Sequence, residues 1–284
     1  MEYLLLFLLG SAVGSFLGVL AMRYHEDEPL FARRVWSGRS FCEGCGKTLR
    51  WFELVPLASY IVQGGRCRSC RMRLSLQYPV IELISGALFV AVPIHFSSYF
   101  QADFWSGALW TVLWLVVWSA LLLISLIDFR LHLIPDELNF LLGVLGVVMI
   151  AWLSVSAPAE SSFLGKYALL LGTPQRVWLS HVLAAVFSSG FLGFLILITR
   201  GRGMGIGDVK LAAALGLIFG WPDIALILFL SFVLGAAVGL LAIATHRKGL
   251  KSAVAFGPFL ALGAFVVFFW GYVLVSGYFG LLSI

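Results

Sequence analysis

The chain has 284 residues, 61% of them hydrophobic and 12% charged, with a mean hydropathy of +1.00 and a formal net charge of +5. This excludes an ordinary soluble domain, whose charged share is roughly twice as large, and indicates an all-α polytopic membrane protein in which the bilayer replaces the usual core. Runs of about 20 apolar residues can span a bilayer; the candidates are 3–22, 79–96, 107–127, 138–155, 179–199, 209–220, 222–245 and 257–276, about eight transmembrane helices.

Only Met1, Glu2 and Tyr3 precede the first apolar stretch, and no small-residue cleavage site follows it before Arg23. The expectation is a retained anchor over 1–22 rather than a removed signal. Within it Gly10, Ser11, Gly14, Ser15 and Gly18 recur at spacings of three and four, a stripe that reads as a close helix-packing face.

Residues 23–78 are the one large polar segment, and they hold all four cysteines, in Cys42-Glu43-Gly44-Cys45 and Cys67-Arg68-Ser69-Cys70. Two C-x2-C pairs with 21 residues between them come close to the spacing of a structural zinc site, in which four thiolates close a tetrahedral shell. A redox pair and inert thiols are the alternatives. A cytoplasmic location disfavours disulfides. So small a polar segment has little core, and metal binding would supply much of its folding free energy. The stretch Arg50 to Tyr60 between the pairs is apolar enough to lie on the membrane surface or against the helices. Glu82, one turn into the second span, reads as a carboxylate paired with its helix N-terminus or with a loop Arg.

The third span ends in Asp128-Phe129-Arg130-Leu131-His132-Leu133-Ile134-Pro135-Asp136. Asp136 stands where a helix N-cap is expected, and His132 reads as a solvated loop histidine. The loop 156–178 carries no motif, and His181 near the start of the fifth span reads as structural. Gly201-Arg202-Gly203-Met204-Gly205-Ile206-Gly207-Asp208-Val209-Lys210 then sets a carboxylate at the mouth of a membrane helix. An ionised Asp at a bilayer centre costs at least about 2.5 kcal/mol, so Asp208 needs an explanation. The short sixth span stops at Gly220-Trp221-Pro222, which suggests a tight hairpin with the seventh. His246, Arg247, Lys248 and Lys251 read as inside-facing charges that could also contact anionic lipid, before Ala255-Phe256-Gly257-Pro258 opens the last span.

With 23–78 placed in the cytoplasm, every Lys and Arg except Lys166 and Arg176 falls inside, as the positive-inside rule requires. The net charge therefore reads as topology and not as nucleic-acid binding. The same topology brings Asp128 and Asp208 to similar depth on the cytoplasmic side. Two carboxylates close together can hold one proton between them, one activating water while the other stays protonated, as in aspartic proteases; solvated interfacial charges without chemistry are the alternative.

Taken in order, Gly14-Ser15-Phe16-Leu17, both cysteine pairs, Glu53 to Tyr60, Tyr78-Pro79 with Glu82, Asp128 to Asp136, and Gly205-Ile206-Gly207-Asp208-Val209-Lys210 resemble the bacterial type IV prepilin peptidases. These prepilin leader peptidase/N-methyltransferases are membrane aspartyl proteases of the GxGD type. The resemblance implies that Asp128 and Asp208 are the catalytic pair, that 79–284 is the peptidase domain, and that the zinc-knuckle domain 23–78, through Cys42, Cys45, Cys67 and Cys70, belongs to a methyltransferase half using S-adenosylmethionine. It implies type IV prepilins or type II secretion pseudopilins as substrates, cleaved after the glycine that ends a short basic leader and then N-methylated. It also implies the bacterial inner membrane as location, with the knuckle domain and active site facing the cytoplasm. Gly18 stands where the family usually has an Asn, which leaves a peptidase without methyltransferase activity as one alternative. Other classes are an ion-coupled transporter using interfacial carboxylates and a zinc-stabilised assembly factor that only holds pilin subunits.

Overall fold

A computed structural model describes residues 1–97, 104–156, 162–172, 176–201, 203–245 and 255–281. Arg202, His246, Arg247, Lys248 and Lys251 lie outside the described residues. Inside a bilayer every backbone N–H and C=O must be satisfied within its own segment, and the apolar stretches accordingly fold as helices. In chain order these are α1 (Glu2–Arg23), α2 (Arg33–Trp36), α3 (Ala58–Val62), α4 (Gln77–His95), α5 (Phe104–Leu131), α6 (Asp136–Ser156), α7 (Val177–Thr199), α8 (Ile206–Phe219), α9 (Asp223–Ala244) and α10 (Gly257–Leu281). Among the described residues seven helices are long and apolar enough to cross a membrane: α1, α4, α5, α6, α7, α9 and α10. The eighth apolar helix, α8, has 14 residues and reaches only about 21 Å at 1.5 Å per residue.

The chain divides into two compact units, Met1–Leu126 and Ile127–Ile284, with the boundary inside α5. In the first unit, α1 runs antiparallel to α4 along the small-residue stripe. A Cβ on Gly10 would lie 2.7 Å from the Ser85 carbonyl oxygen, and one on Gly14 would lie 2.9 Å from that of Ile81. Packing thus accounts for the stripe. Gly18 meets Ile81 at an ordinary 3.7 Å.

Glu82 departs from its expectation. It is buried, and its Oε2 accepts the backbone N–H of Leu57 at 2.8 Å, in place of its own helix terminus or an Arg. Leu57 has φ +59°, a strained conformation for a leucine, and the Glu82 carboxylate holds that bend. Buried Glu53 likewise accepts the N–H of Arg50 at 2.8 Å.

In the second unit α8 lies against α6 and α7 and also touches α9 and α10. Its burial follows from this position: Asp208, Leu211, Ala212, Ala214, Leu215, Gly216, Ile218 and Phe219 are all buried. The crossing with α7 is antiparallel, since the Ser188 hydroxyl donates to the Ala212 carbonyl at 2.8 Å while His181 Nδ1 contacts the Leu217 carbonyl at 2.8 Å. His181 is therefore structural, as expected. The α8–α9 hairpin is tight: the Ser180 hydroxyl donates to the Trp221 carbonyl and accepts the Trp221 N–H.

The closest backbone approach at this crossing is Gly216, where a Cβ would fall 2.6 Å from both Cα and N of Ala185. Backbone atoms cannot rotate away as a side-chain end can. Gly216→Ala should cost about 1–3 kcal/mol through overpacking, lowering the melting temperature of the detergent-solubilised protein while Gly143→Ala, which meets open space, leaves it unchanged.

Candidate active site

Asp128 lies one turn before the end of α5, and Asp208 lies in the first turn of α8. Both are buried, 4% and 8% exposed, which carboxylates tolerate only with partners. Each has one glycine N–H. The Gly257 N–H, at the start of α10, donates to Asp128 Oδ2 at 2.8 Å, and the Gly205 N–H donates to Asp208 Oδ2 at 2.9 Å. A Cβ at 257 would fall 2.6 Å from Asp128 Oδ2, so a side chain there would push the carboxyl aside.

Ile134 connects the two halves. Its side chain stands 3.1 Å from where a Cβ on Gly207 would be and 3.3 Å from where one on Gly257 would be. One apolar side chain therefore touches both the residue before Asp208 and the residue bonded to Asp128. The two carboxylates therefore flank a shared apolar contact at Ile134. Among the described residues, Oδ1 of each has no protein hydrogen bond, so two carboxyl oxygens remain for a reactant.

Asp136 differs from its expected capping role. It opens α6, and its carboxylate binds Lys210 Nζ at 2.7 and 2.8 Å. The pair is largely exposed and so adds little stability, but it pins the first turn of α6 beside the first turn of α8. His132 is exposed and ends α5, its N–H donating to the Asp128 carbonyl at 2.8 Å with φ +55°. Asp223 was not anticipated from sequence. It is fully buried, accepting the Ser162 hydroxyl at 2.7 Å and the Phe163 N–H at 3.0 Å, at the far end of α8 from Asp208. An acid directly after Gly220-Trp221-Pro222, amid apolar sequence, was the available signal.

In the first unit the four cysteine sulfurs lie within 4.8 Å of one another. Cys42 Sγ and Cys70 Sγ are 3.7 Å apart, against about 3.8 Å for sulfurs around a tetrahedral ion at 2.3 Å. The two knuckles repeat each other. Cys42 N–H donates to Lys47 O, Gly46 N–H to Cys42 O and Leu49 N–H to Ser40 O; in the second, Cys67 N–H donates to Met72 O, Arg71 N–H to Cys67 O and Leu74 N–H to Gly65 O. Isolated bridges Phe41–Thr48 and Arg66–Arg73 close the two loops. The backbone N–H groups of Cys70 and Ser69 point at the Cys67 sulfur and hold its thiol down, to about 6. A sulfur so bonded is suited to serve as a thiolate ligand. These four cysteines could hold a metal ion.

The Bacterial Peptidase A24 N-terminal domain model matches residues 8–96, and the Type IV leader peptidase family model matches 114–240. The chain is 33% identical to a prepilin leader peptidase/N-methyltransferase of Burkholderia pseudomallei (strain 1026b), over 95% of this chain and 86% of that protein. It is 30% identical to one of Bacillus subtilis (strain 168), over 96% of each, and 28% identical to one of Legionella pneumophila, over 98% of this chain and 94% of that one. No solved structure matches. With buried paired carboxylates in a multi-pass helical unit and likeness along nearly its whole length, the chain belongs to the type IV leader peptidase family of membrane peptidases.

Proposed function

We propose that this protein removes the short basic leader of type IV prepilins and type II secretion pseudopilins, using Asp128 and Asp208 as an aspartyl dyad, and N-methylates the new terminus. The observation that carries the reading is the pair of buried carboxylates, each oriented by a glycine N–H through Oδ2 and joined through Ile134. In this mechanism one ionised carboxylate takes a proton from water as the water oxygen bonds to the scissile carbonyl carbon. The other, protonated, gives its proton to the carbonyl oxygen. Collapse of the resulting gem-diol breaks the C–N bond, and a carboxyl proton passes to the departing amine.

Gly205 is extended, with φ −88° and ψ 158°, and the glycines that lead into α8 would let the backbone bend to admit an extended cleavage segment beside the dyad. The distribution of basic residues supports a cytoplasmic active site in the bacterial inner membrane. Zinc is the proposed ion for Cys42, Cys45, Cys67 and Cys70, whose sulfur spacing suits it. It would staple the two knuckles and supply folding free energy. The methyltransferase reading and its donor S-adenosylmethionine follow from the named relatives.

Four outcomes test this. Asp128→Asn and Asp208→Asn should each reduce cleavage of a purified prepilin in detergent at least about 100-fold with expression intact, and mass spectrometry of the wild-type product should find one added methyl group only when S-adenosylmethionine is present. Normal turnover by either variant removes that residue from the mechanism. Gly257→Ala should lower kcat at least about tenfold by displacing the Asp128 carboxyl, the conflict being 2.6 Å; unchanged kcat shows that the Gly257 contact does not position Asp128. Elemental analysis should find one zinc per chain, absent when Cys42 and Cys67 are both changed to Ser; iron in its place, or no metal in fresh protein, contradicts the zinc assignment.

A further inference from the structure

Asn139 is 7% exposed, and neither its Oδ1 nor its Nδ2 has a hydrogen-bond partner among the described residues. Within Ile127–Ile284 these are the only such buried side-chain atoms among the described residues. The other buried polar groups of that unit are engaged: Asp223 by Ser162, Ser188 by Ala212, Ser231 by Ile227 and His181 by Leu217. A buried amide left without a hydrogen bond destabilises the fold, and an apolar side chain of similar size would avoid that cost. The helix does not need this carboxamide, since the Asn139 backbone N–H already donates to the Pro135 carbonyl. An orphaned buried amide in a well-packed helix unit calls for a partner supplied from outside.

Its position indicates which partner. Asn139 lies one turn beyond Asp136, whose ion pair with Lys210 pins α6 to the first turn of α8. Seven residues further, Gly146 would meet Leu217 and Ile218 of α8 with its Cβ, so the stripe through 139 and 146 is the one facing α8. Contacts at 136 with 210 and at 146 with 217 make the two helices parallel, which sets Asn139 opposite the first turns of α8, just beyond Asp208. Ile134, five residues before Asn139, touches Gly207 and Gly257.

We propose that Asn139 binds substrate: its Nδ2–H and Oδ1 pair with a backbone C=O and N–H of the extended peptide segment cut at the dyad. A carboxamide offers both a donor and an acceptor, and the group that satisfies both is another amide. A phosphate would need donors alone and a metal cation acceptors alone. The proposal rests on the peptidase reading above.

The test is Asn139→Leu, which replaces the amide by an apolar side chain of similar volume. Its melting temperature in detergent should equal or exceed that of the wild type, because an unmade buried amide is removed. Its kcat/KM for purified prepilin should fall at least about tenfold, and in an Asp208→Asn background its Kd for uncut prepilin should rise by a similar factor. Cleavage and binding within about twofold of the parent overturn the proposal, as does a lowered melting temperature with binding unchanged, which would make Asn139 a packing residue. Failure of the dyad reading appears elsewhere, as cleavage by Asp208→Asn alone, so the two failures are distinguishable.

Discussion

The hydrogen bond from the Gly257 N–H to Asp128 Oδ2 joins residues 129 apart in sequence, and the candidate site depends on it. Gly257 is the first residue of α10 and Gly205 the residue before α8, so each buried carboxylate faces the N-terminus of a helix. Unpaired N–H groups and the helix dipole make such a terminus a favourable place for a negative oxygen. The bonds orient each carboxyl through one oxygen and leave the second without a hydrogen bond among the described residues.

Packing makes this possible. Small residues let backbones approach where lipid gives no hydrophobic preference for one helix over another. Gly216 lets α8 approach the α7 backbone at Ala185, Gly146 lets α6 approach Leu217 on the same helix, and Gly207 admits Ile134. The short α8 is thereby enclosed along its length, and its first turn is held beside the end of α5. The exposed Asp136–Lys210 pair contributes register more than stability. Asn139 stands out against this background as a buried polar side chain with no hydrogen-bond partner among the described residues.

The knuckle segment shows a different economy. Its two loops repeat one hydrogen-bond pattern with an offset of 25 residues, visible in the donors at 42, 46 and 49 and again at 67, 71 and 74. At corresponding positions Gly46 has φ +68° and Arg71 φ +61°. The first knuckle fills its left-handed position with the residue suited to it, while the second holds an arginine in a conformation L side chains disfavour. The local turn thus tolerates strain in one copy.

All eight apolar helices were legible in the sequence, because a bilayer enforces length and hydrophobicity segment by segment. The cysteine cluster was legible too, since C-x2-C spacing is a local geometric demand. Asp128 and Asp208 stood out as charges in apolar surroundings. What the sequence did not disclose were partners. Glu82 reads as an interfacial acid but holds Leu57; Asp136 reads as a cap but pairs with Lys210. Gly257 reads only as the start of a helix, Asp223 as one more polar residue in a turn, and Asn139 as an ordinary second turn. Helix existence follows from forces acting within about 20 residues. Which carboxylate meets which N–H depends on how closely separate helices approach, and that was decided by the tertiary packing of glycines whose neighbours lie far away along the chain.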